Sequence, residues 1–273
     1  MRIPTVAAAM AAAAFLALNA GQPLLAQWTE ETLSSYAQNA PRPQGAAPVR
    51  EEHTLTPSKC PANTFTYSAS YPQGIDGGGP VDQAVKARAA QILAEGKSAG
   101  DEFLASGYEC EGEGGSYSAT SSPYRVSGTA YSVLFNWDSY TGGAHGNMGF
   151  VALNLASDGT EITMERLFRD PAAAVPKLWE AVFKGFCREH ASESTAAPGF
   201  FGEQPCSGTV PPVPEVLRPT GSLDAAGHMI LTSMGLSVHL GPYEAYAYAM
   251  GPQFLDISKQ DLLTMGADPS IWR

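Results

Sequence analysis

The residues best suited to chemistry in this sequence are two histidines and two carboxylates. His145 lies in the glycine-rich stretch TGGAHGN, seven residues after Asp138, whereas His239 and Glu244 lie near the C-terminus. Imidazole nitrogens and carboxylate oxygens are the usual ligands of catalytic zinc, and both groups also serve as general acids and bases. If these side chains converge, they predict a metal-assisted hydrolase in which His145, His239 and Asp138 hold the ion.

Their spacing favours a structural role for His145 instead. None of the histidines stands in an HxH or HExxH pattern, and no chain of nucleophile, base and orienting group can be read from the sequence. Gly142 and Gly143 can supply the positive φ angles of a turn. His145 would then fix that turn by a hydrogen bond to a backbone carbonyl or a tyrosine hydroxyl. We therefore assign no catalytic residue, metal or other cofactor.

Other catalytic patterns are weak. The serine motif SxxK is absent, and Ser233 falls in a turn between two strands rather than at the elbow of an activated serine. Asp138, Glu165 and Glu244 could pair for glycoside hydrolysis. A chain with 27 acidic residues offers many such sets, so this pattern favours no particular chemistry.

Two loops have the composition of a recognition surface. The segment GPYEAYAYAMGP, from Gly241 to Pro252, is rich in tyrosine, which is enriched at binding hot spots. Alternate tyrosines could equally belong to a half-buried strand. The second loop is the one that contains His145. The predicted binding residues of the two loops are Tyr140, Thr141, His145, Asn147, Tyr243, Glu244, Tyr246 and Tyr248.

Alternating and helical patterns predict the elements that position these loops. Two long helices are expected, over Val81–Ser106 and from Pro171 or Pro176 onward, the latter with Asp170 as N-cap. Ser258 and Asp261 predict a short last helix. The predicted strands are Asn63–Tyr71, Ser116–Arg125, Gly128–Ser139, Gly149–Leu155, His228–Thr232, Leu236–Leu240 and Gln253–Ile257. This order indicates an α+β fold of antiparallel sheets, each packed against a long amphipathic helix.

The N-terminus reads as an export signal. A positive residue and a short apolar run within residues 1–26 are typical of a cleavable signal peptide. Residues 27–52 then read as a linker with one short helix, and ordered structure is expected from about His53. We expect no membrane insertion of the mature protein, which would be periplasmic or secreted.

The cysteines and the net charge narrow the range of partners. Cys60, Cys110, Cys187 and Cys206 form an even set suited to an oxidising compartment. Pairing in order, Cys60 with Cys110 and Cys187 with Cys206, is the simplest of three connectivities. The net charge is −11, which argues against nucleic acid as a partner and is compatible with a cationic one.

Several of these motifs coincide in one known group of exported proteins. Three motifs together resemble one family of domains of unknown function: the TGGAHGN hairpin, the helix after LFRDPAAAV and the closing MILTSMGLSVHLGPYEAYAYAMGPQFLDISKQDLL. A domain of this family forms the extracytoplasmic part of the anti-sigma factor RsiV and part of the peptidoglycan deacetylase PdaC. The unit FTYSASYPQG with the following helix resembles the companion domain upstream of it. The resemblance covers residues 53–265.

The resemblance implies two closely associated subdomains, at residues 53–139 and 140–273. It also implies an exported, non-enzymatic binding module of the cell envelope that recognises a lysozyme-like protein or a peptidoglycan fragment. Two alternatives stay open: a metal-assisted hydrolase acting on envelope polymers, and a structural envelope protein.

Overall fold

The computed structural model describes residues 34–61, 63–106, 114–143, 145–189, 209–215, 217–225, 228–242, 244 and 251–273. The predicted signal peptide, residues 1–26, and the cysteines Cys110 and Cys206 lie outside the described residues. From residue 33 onward the chain forms one compact unit. No helix among the described residues has the length and apolar character needed to span a membrane.

The fold is α+β, as the sequence predicts. In chain order its elements are α1 (Ser35–Asn39), β1 (Ala47–Leu55), β2 (Phe65–Gln73), α2 (Pro80–Ala105), β3 (Gly115–Arg125), β4 (Ala130–Tyr140), β5 (Asn147–Ala156), α3 (Met164–Leu167), α4 (Pro171–Glu189), β6 (Ile230–Thr232), β7 (Gly235–Leu240), β8 (Gln253–Ser258) and α5 (Lys259–Thr264), followed by a 3₁₀ turn (Pro269–Trp272). The first five strands form one sheet in chain order, and β6, β7 and β8 form a second.

The first sheet is not wholly antiparallel, which corrects the expectation. Strands β2 and β3 run parallel, because α2 carries the chain back across the sheet between them, as a parallel connection requires. The other pairs of this sheet are antiparallel. The sheet also continues through β5, so it does not end at the expected boundary between residues 139 and 140.

The segment expected to be a linker is partly a strand. Residues 41–52 include the first six of the nine residues of β1, which pairs antiparallel with β2 along its whole length. Most of its side chains are exposed, so the apolar alternation that reveals a half-buried strand is missing. Backbone pairing at the sheet edge, rather than side-chain burial, holds this strand.

Helix α2 covers one face of the first sheet. Two acidic side chains organise the glycine-rich loop before it: Asp82 accepts hydrogen bonds from the backbone N–H groups of Gly74, Ile75 and Gly78, and Asp76 accepts from the first turn of the helix. The buried stripe of α2 is Val81, Val85, Ala89, Ile92, Leu93, Gly96, Gly100 and Phe103. The loop is thus the structural connection that the sequence predicts.

Helix α4 supplies the core beside the second sheet. The helix begins at Pro171 and continues through Pro176, and Asp170 caps it by accepting from the Ala173 N–H (3.1 Å). Its buried stripe contains Leu178, Trp179, Val182, Phe183 and Phe186, which belong to one apolar cluster with residues of β7 and β8. A smaller cluster joins α1, the opposite face of the first sheet and the second sheet.

Candidate functional site

The β4–β5 loop is shaped by its own backbone, as the glycine pattern predicts. Gly142 and Gly143 have φ angles of 92° and 98°. The Tyr140 hydroxyl donates to the Gly143 carbonyl oxygen (3.3 Å), and Nδ1 of the exposed His145 lies 3.0 Å from the Gly146 carbonyl oxygen. Thr141 and Asn147 are exposed as well. His145 therefore lies at the surface of the loop, with one ring nitrogen close to a backbone carbonyl oxygen.

His239 lies in a different environment from His145. It is fully buried in β7, with its ring 5.5 Å from that of Phe150 and 5.2 Å from that of Phe254, measured between centroids. Burial lowers the pKa of His239 to about 3, because a charged imidazole would lose its hydration there. The ring is therefore neutral at ordinary pH.

The predicted metal constellation does not assemble. Asp138 lies partly buried on β4, and burial raises its pKa, whereas Glu244 pairs with neither His145 nor His239. Among the described residues no group of three histidine, cysteine, aspartate or glutamate side chains is arranged to hold a metal ion. The hypothesis of a hydrolase with His145, His239 and Asp138 as ligands thus loses the geometry on which it depended.

Ser237 and His239 form a hydroxyl–imidazole pair that sequence reasoning missed. Oγ of Ser237 lies 3.0 Å from Nε2 of His239, a distance suited to a nucleophile and its base. Both residues are completely buried, and Ser34 before α1 bonds to the same serine hydroxyl. Among the described residues, none forms a hydrogen bond with Nδ1 of His239, so none of them orients the base.

The described residues instead bring Asp224, His228 and Glu244 together, and we call these three the clamp. Nδ1 of His228 lies 2.9 Å from Asp224 Oδ1, and its Nε2 lies 3.2 Å from Glu244 Oε1. The side chains of His228 and Asp224 are only about one-fifth exposed, at 23% and 20%. The imidazole is therefore held at both nitrogens by carboxylates.

The electrostatics of the clamp favour a charged imidazole. Burial alone would lower the pKa of His228, but hydrogen bonds and charge interactions with Asp224 and Glu244 outweigh it and raise the pKa to about 9. Because both ring nitrogens are engaged, the imidazole has none to offer a substrate or a metal. The clamp is thus suited to holding segments together rather than to acid–base catalysis.

Further hydrogen bonds connect the clamp to three segments. Asp224 Oδ1 accepts from the Ala152 N–H on the outer edge of β5 (2.6 Å), and Glu244 Oε2 accepts from the Gly241 N–H (2.6 Å). His228 itself has a φ of 47°, a left-handed conformation that non-glycine residues adopt at a cost of about 1–3 kcal/mol. The clamp thus joins β5, the turn before β6 and the start of the Gly241–Gly251 loop.

The end of the β4–β5 loop lies near the start of the predicted Gly241–Gly251 loop. A Cβ placed on Gly241 would lie 3.3 Å from the Met148 carbonyl oxygen and 3.5 Å from the Gly149 Cα. Met148 and Gly149 directly follow the β4–β5 loop. Tyr243, Tyr246 and Tyr248 lie outside the described residues, so their predicted role in binding stays a prediction.

A shallow depression adjoins the clamp. Its volume is about 340 Å³, and its lining comprises Glu215, Arg218, Thr220, Gly221, Ser222 and Ala225. Three of the polar side chains of this lining already have partners: Arg218 pairs with Glu215, and the Ser222 hydroxyl donates to Glu161. The depression therefore adds no chemistry to the clamp.

Only two of the four cysteines in the predicted disulfide pairing lie within the described residues. The structure contains no free thiol among the described cysteines, Cys60 and Cys187. Their expected partners lie outside the described residues, so the pairing in order stays a prediction.

Comparison with known proteins relates this chain to solved structures alone, since no family model and no curated protein matches it. A member of the DUF3298 family from Bacteroides fragilis NCTC 9343 is 14% identical and has a TM-score of 0.50, with 85% of this chain and 98% of that chain covered. A DUF3298 family protein from Pseudomonas aeruginosa PAO1 is also 14% identical and has a TM-score of 0.47, with coverages of 83% and 95%. At this identity the likeness concerns the fold alone, a DUF3298-type α+β arrangement.

Proposed function

We propose that this protein is an exported, non-enzymatic binding module of the cell envelope that recognises a basic, lysozyme-like protein. The β4–β5 loop and the Gly241–Gly251 loop form the contact surface in this proposal. The resemblance to the RsiV and PdaC family suggests the partner class. Export by the N-terminal signal would place the module in the periplasm or outside the cell.

The observation that carries the proposal is that the β4–β5 loop ends, at the start of β5, close to the residue at which the second predicted loop begins. Gly241 packs against Met148 and Gly149, and Glu244 fixes the loop base through His228. Loops held on a rigid scaffold are the usual carriers of recognition, and a preorganised loop loses less entropy when it binds.

The charge of the protein fits a cationic partner. Its net charge of −11 would attract a basic protein over distances of about a Debye length, roughly 8–10 Å at physiological ionic strength. Such complementarity acts mainly on the association rate. Binding should therefore weaken as salt is added.

Calorimetric titration of the purified protein with lysozyme tests the proposal. We expect saturable binding at low salt and weaker binding at about 0.15 M salt. Glu244→Gln, which loosens the loop base, should weaken binding about tenfold, equivalent to roughly 1.4 kcal/mol. Glu180→Gln on α4 changes the net charge by the same amount, away from the loops, and should leave binding nearly unchanged.

Two outcomes would contradict the proposal. Absence of binding at lysozyme concentrations of tens of micromolar would exclude a lysozyme-like partner of useful affinity, since a Kd of 1 μM corresponds to about −8 kcal/mol. Equal weakening by Glu244→Gln and Glu180→Gln would mean that net charge, rather than the loops, determines binding.

A further inference from the structure

A partly exposed tryptophan, Trp137, lies on the face of the first sheet that carries α2, near the β4–β5 loop. Trp137 on β4 pairs directly with Gly149 on β5. A Cβ placed on Gly149 would lie 2.8–3.1 Å from three atoms of the Trp137 indole. Because glycine has no Cβ, the indole can lie over the neighbouring strand.

The ring of Tyr117 also fixes the orientation of this indole. The rings of Tyr117 and Trp137 are stacked at 10° between their planes, with centroids 5.8 Å apart. Tyr117 is buried, with 7% of its surface exposed. A ring held by two neighbours in this way is preorganised, so binding on its free surface would cost little conformational entropy.

Helix α2 leaves this corner of the sheet partly uncovered. Its Gly96 packs against Tyr67 and Tyr117, and its Gly100 packs against Phe65. The C-terminal half of α2 therefore lies over β2 and β3, while Trp137 on β4 remains partly exposed. The indole thus offers an apolar surface to solvent beside the helix.

Polar groups border the exposed indole. Ser139 and Asn147 form a pair one row further along β4 and β5, on the same face of the sheet, since side chains alternate along a strand. Ser139 is partly exposed and Asn147 is exposed, as is Glu95 on α2. These groups offer hydrogen-bond donors and acceptors around a flat apolar centre.

The charges near this surface are negative. Burial raises the pKa of the Tyr117 hydroxyl above its ordinary value, and the negative charges of Glu95 on α2 and of Asp138 on the opposite face of β4 raise it further. The whole chain also carries a net charge of −11. A cationic ligand is therefore favoured over a neutral or an acidic one.

We propose that Trp137 forms a stacking subsite for a sugar ring of a cationic glycan whose amino sugars carry free ammonium groups. One face of a pyranose ring presents C–H groups, which pack on the electron-rich face of an indole, while its hydroxyls point outward to groups such as Ser139 and Asn147. The ammonium group is attracted by the carboxylate of Glu95, which acts on the neighbouring Tyr117, and by the negative net charge of the chain. This subsite goes beyond the protein partner proposed above and does not depend on it.

Calorimetry with oligomers of β-1,4-linked glucosamine tests the subsite in the full-length protein. We expect binding that shifts the indole N–H resonance of Trp137, and weaker or no binding of cello-oligomers, which share the linkage but lack the amine. N-acetylglucosamine oligomers should resemble the cello-oligomers, because acetylation removes the charge. Trp137→Ala should reduce the affinity for glucosamine oligomers at least about tenfold.

A pair of glycine variants provides a matched control. Gly149→Ala would place a methyl group against the indole and displace it, so glucosamine binding should fall although every polar group remains. Gly128→Ala should leave binding unchanged, because the nearest atom to its Cβ would be the Arg273 carbonyl oxygen at 3.8 Å. Circular dichroism would confirm that each variant is folded.

Three results would overturn the proposal. One is the absence of glucosamine-oligomer binding at millimolar concentration. Another is an affinity unchanged in both Trp137→Ala and Gly149→Ala. The third is equal binding of cello-oligomers, which would exclude the cationic specificity. Lysozyme binding that depends on Trp137, without any glycan binding, would assign the surface to the protein partner instead.

Discussion

His228 shows how one side chain can fix a site without taking part in chemistry. Its two nitrogens lie within hydrogen-bond distance of Asp224 and Glu244, and its backbone adopts a left-handed conformation. The strained backbone indicates that the surrounding contacts determine the position of this residue. The clamp therefore holds the start of the predicted Gly241–Gly251 loop in place, and it does so with the backbone of His228 in a strained conformation.

Removing the imidazole should leave two partly buried carboxylates without their cation. We expect His228→Ala to lower the free energy of unfolding by about 1–3 kcal/mol, as measured by urea denaturation. His145→Ala is the matched control, because that histidine is exposed, and its effect should stay within about 0.5 kcal/mol. Equal losses in the two variants would mean that the clamp contributes nothing specific.

Little of the clamp could be predicted from the sequence. Asp224 and His228 are four residues apart, a spacing that brings side chains together on a helix, but no helical pattern surrounds them. The sequence indicates Glu244 as a candidate site residue together with His145 and His239, but nothing in the local pattern points to His228 as its partner. The pairing depends on how the turn before β6 meets the Gly241 loop, which local pattern does not encode.

Helix α2 illustrates packing at the scale of an element. Gly96 lies inside the helix, where glycine is about 1 kcal/mol less favourable than alanine. A Cβ at this position would lie 2.8 Å from the Tyr117 ring and 3.1 Å from Tyr67. Close approach of the helix to the sheet therefore explains why glycine stands here.

Gly96→Ala should consequently destabilise the protein, although it improves helix propensity. We expect a lower melting temperature, corresponding to about 1–3 kcal/mol from overpacking. Ser98→Ala, at an exposed position of the same helix, should leave the melting temperature unchanged or slightly raised. A rise in the melting temperature of Gly96→Ala would contradict the packing described for α2.

The elements with strong side-chain periodicity were predictable, and the others were not. The alternation in β2 and β4 and the stripes of α2 and α4 follow from burial of one face, so the sequence indicates them directly. Strand β1 lacks a buried face, and the parallel pairing of β2 with β3 follows from the path of the chain rather than from any local pattern. Neither β1 nor the parallel pairing could therefore be predicted from the sequence.

At the scale of the whole molecule, His228 and His239 make the stability of the protein depend on pH in opposite directions. His228, with its pKa raised to about 9, contributes stability that is complete below pH 6.5 and is lost as the pH rises through 9. His239, with its pKa lowered to about 3, cannot take up the proton that the unfolded chain binds below pH 6.5. Stability therefore falls as the pH drops from 6.5 toward 3.

From these two groups alone, the free energy of unfolding should be greatest near pH 6.5. Urea denaturation across pH 5–9 should show a slope of up to about 1.4 kcal/mol per pH unit on each side. His228→Gln should remove the alkaline slope, and His239→Gln should remove the acidic one. If the difference between wild type and His239→Gln does not depend on pH, then His239 is not neutral in the folded protein.

The docking of α1 has a consequence for how the chain reaches its native state. The Tyr36 N–H donates to Asp256 Oδ2, a partner 220 residues away in the sequence, and Ser34 meets Ser237 across 203 residues. Chains with contacts between such distant residues fold slowly. Helix α1 therefore cannot reach its final position until β8, more than 200 residues later in the sequence, has been synthesised.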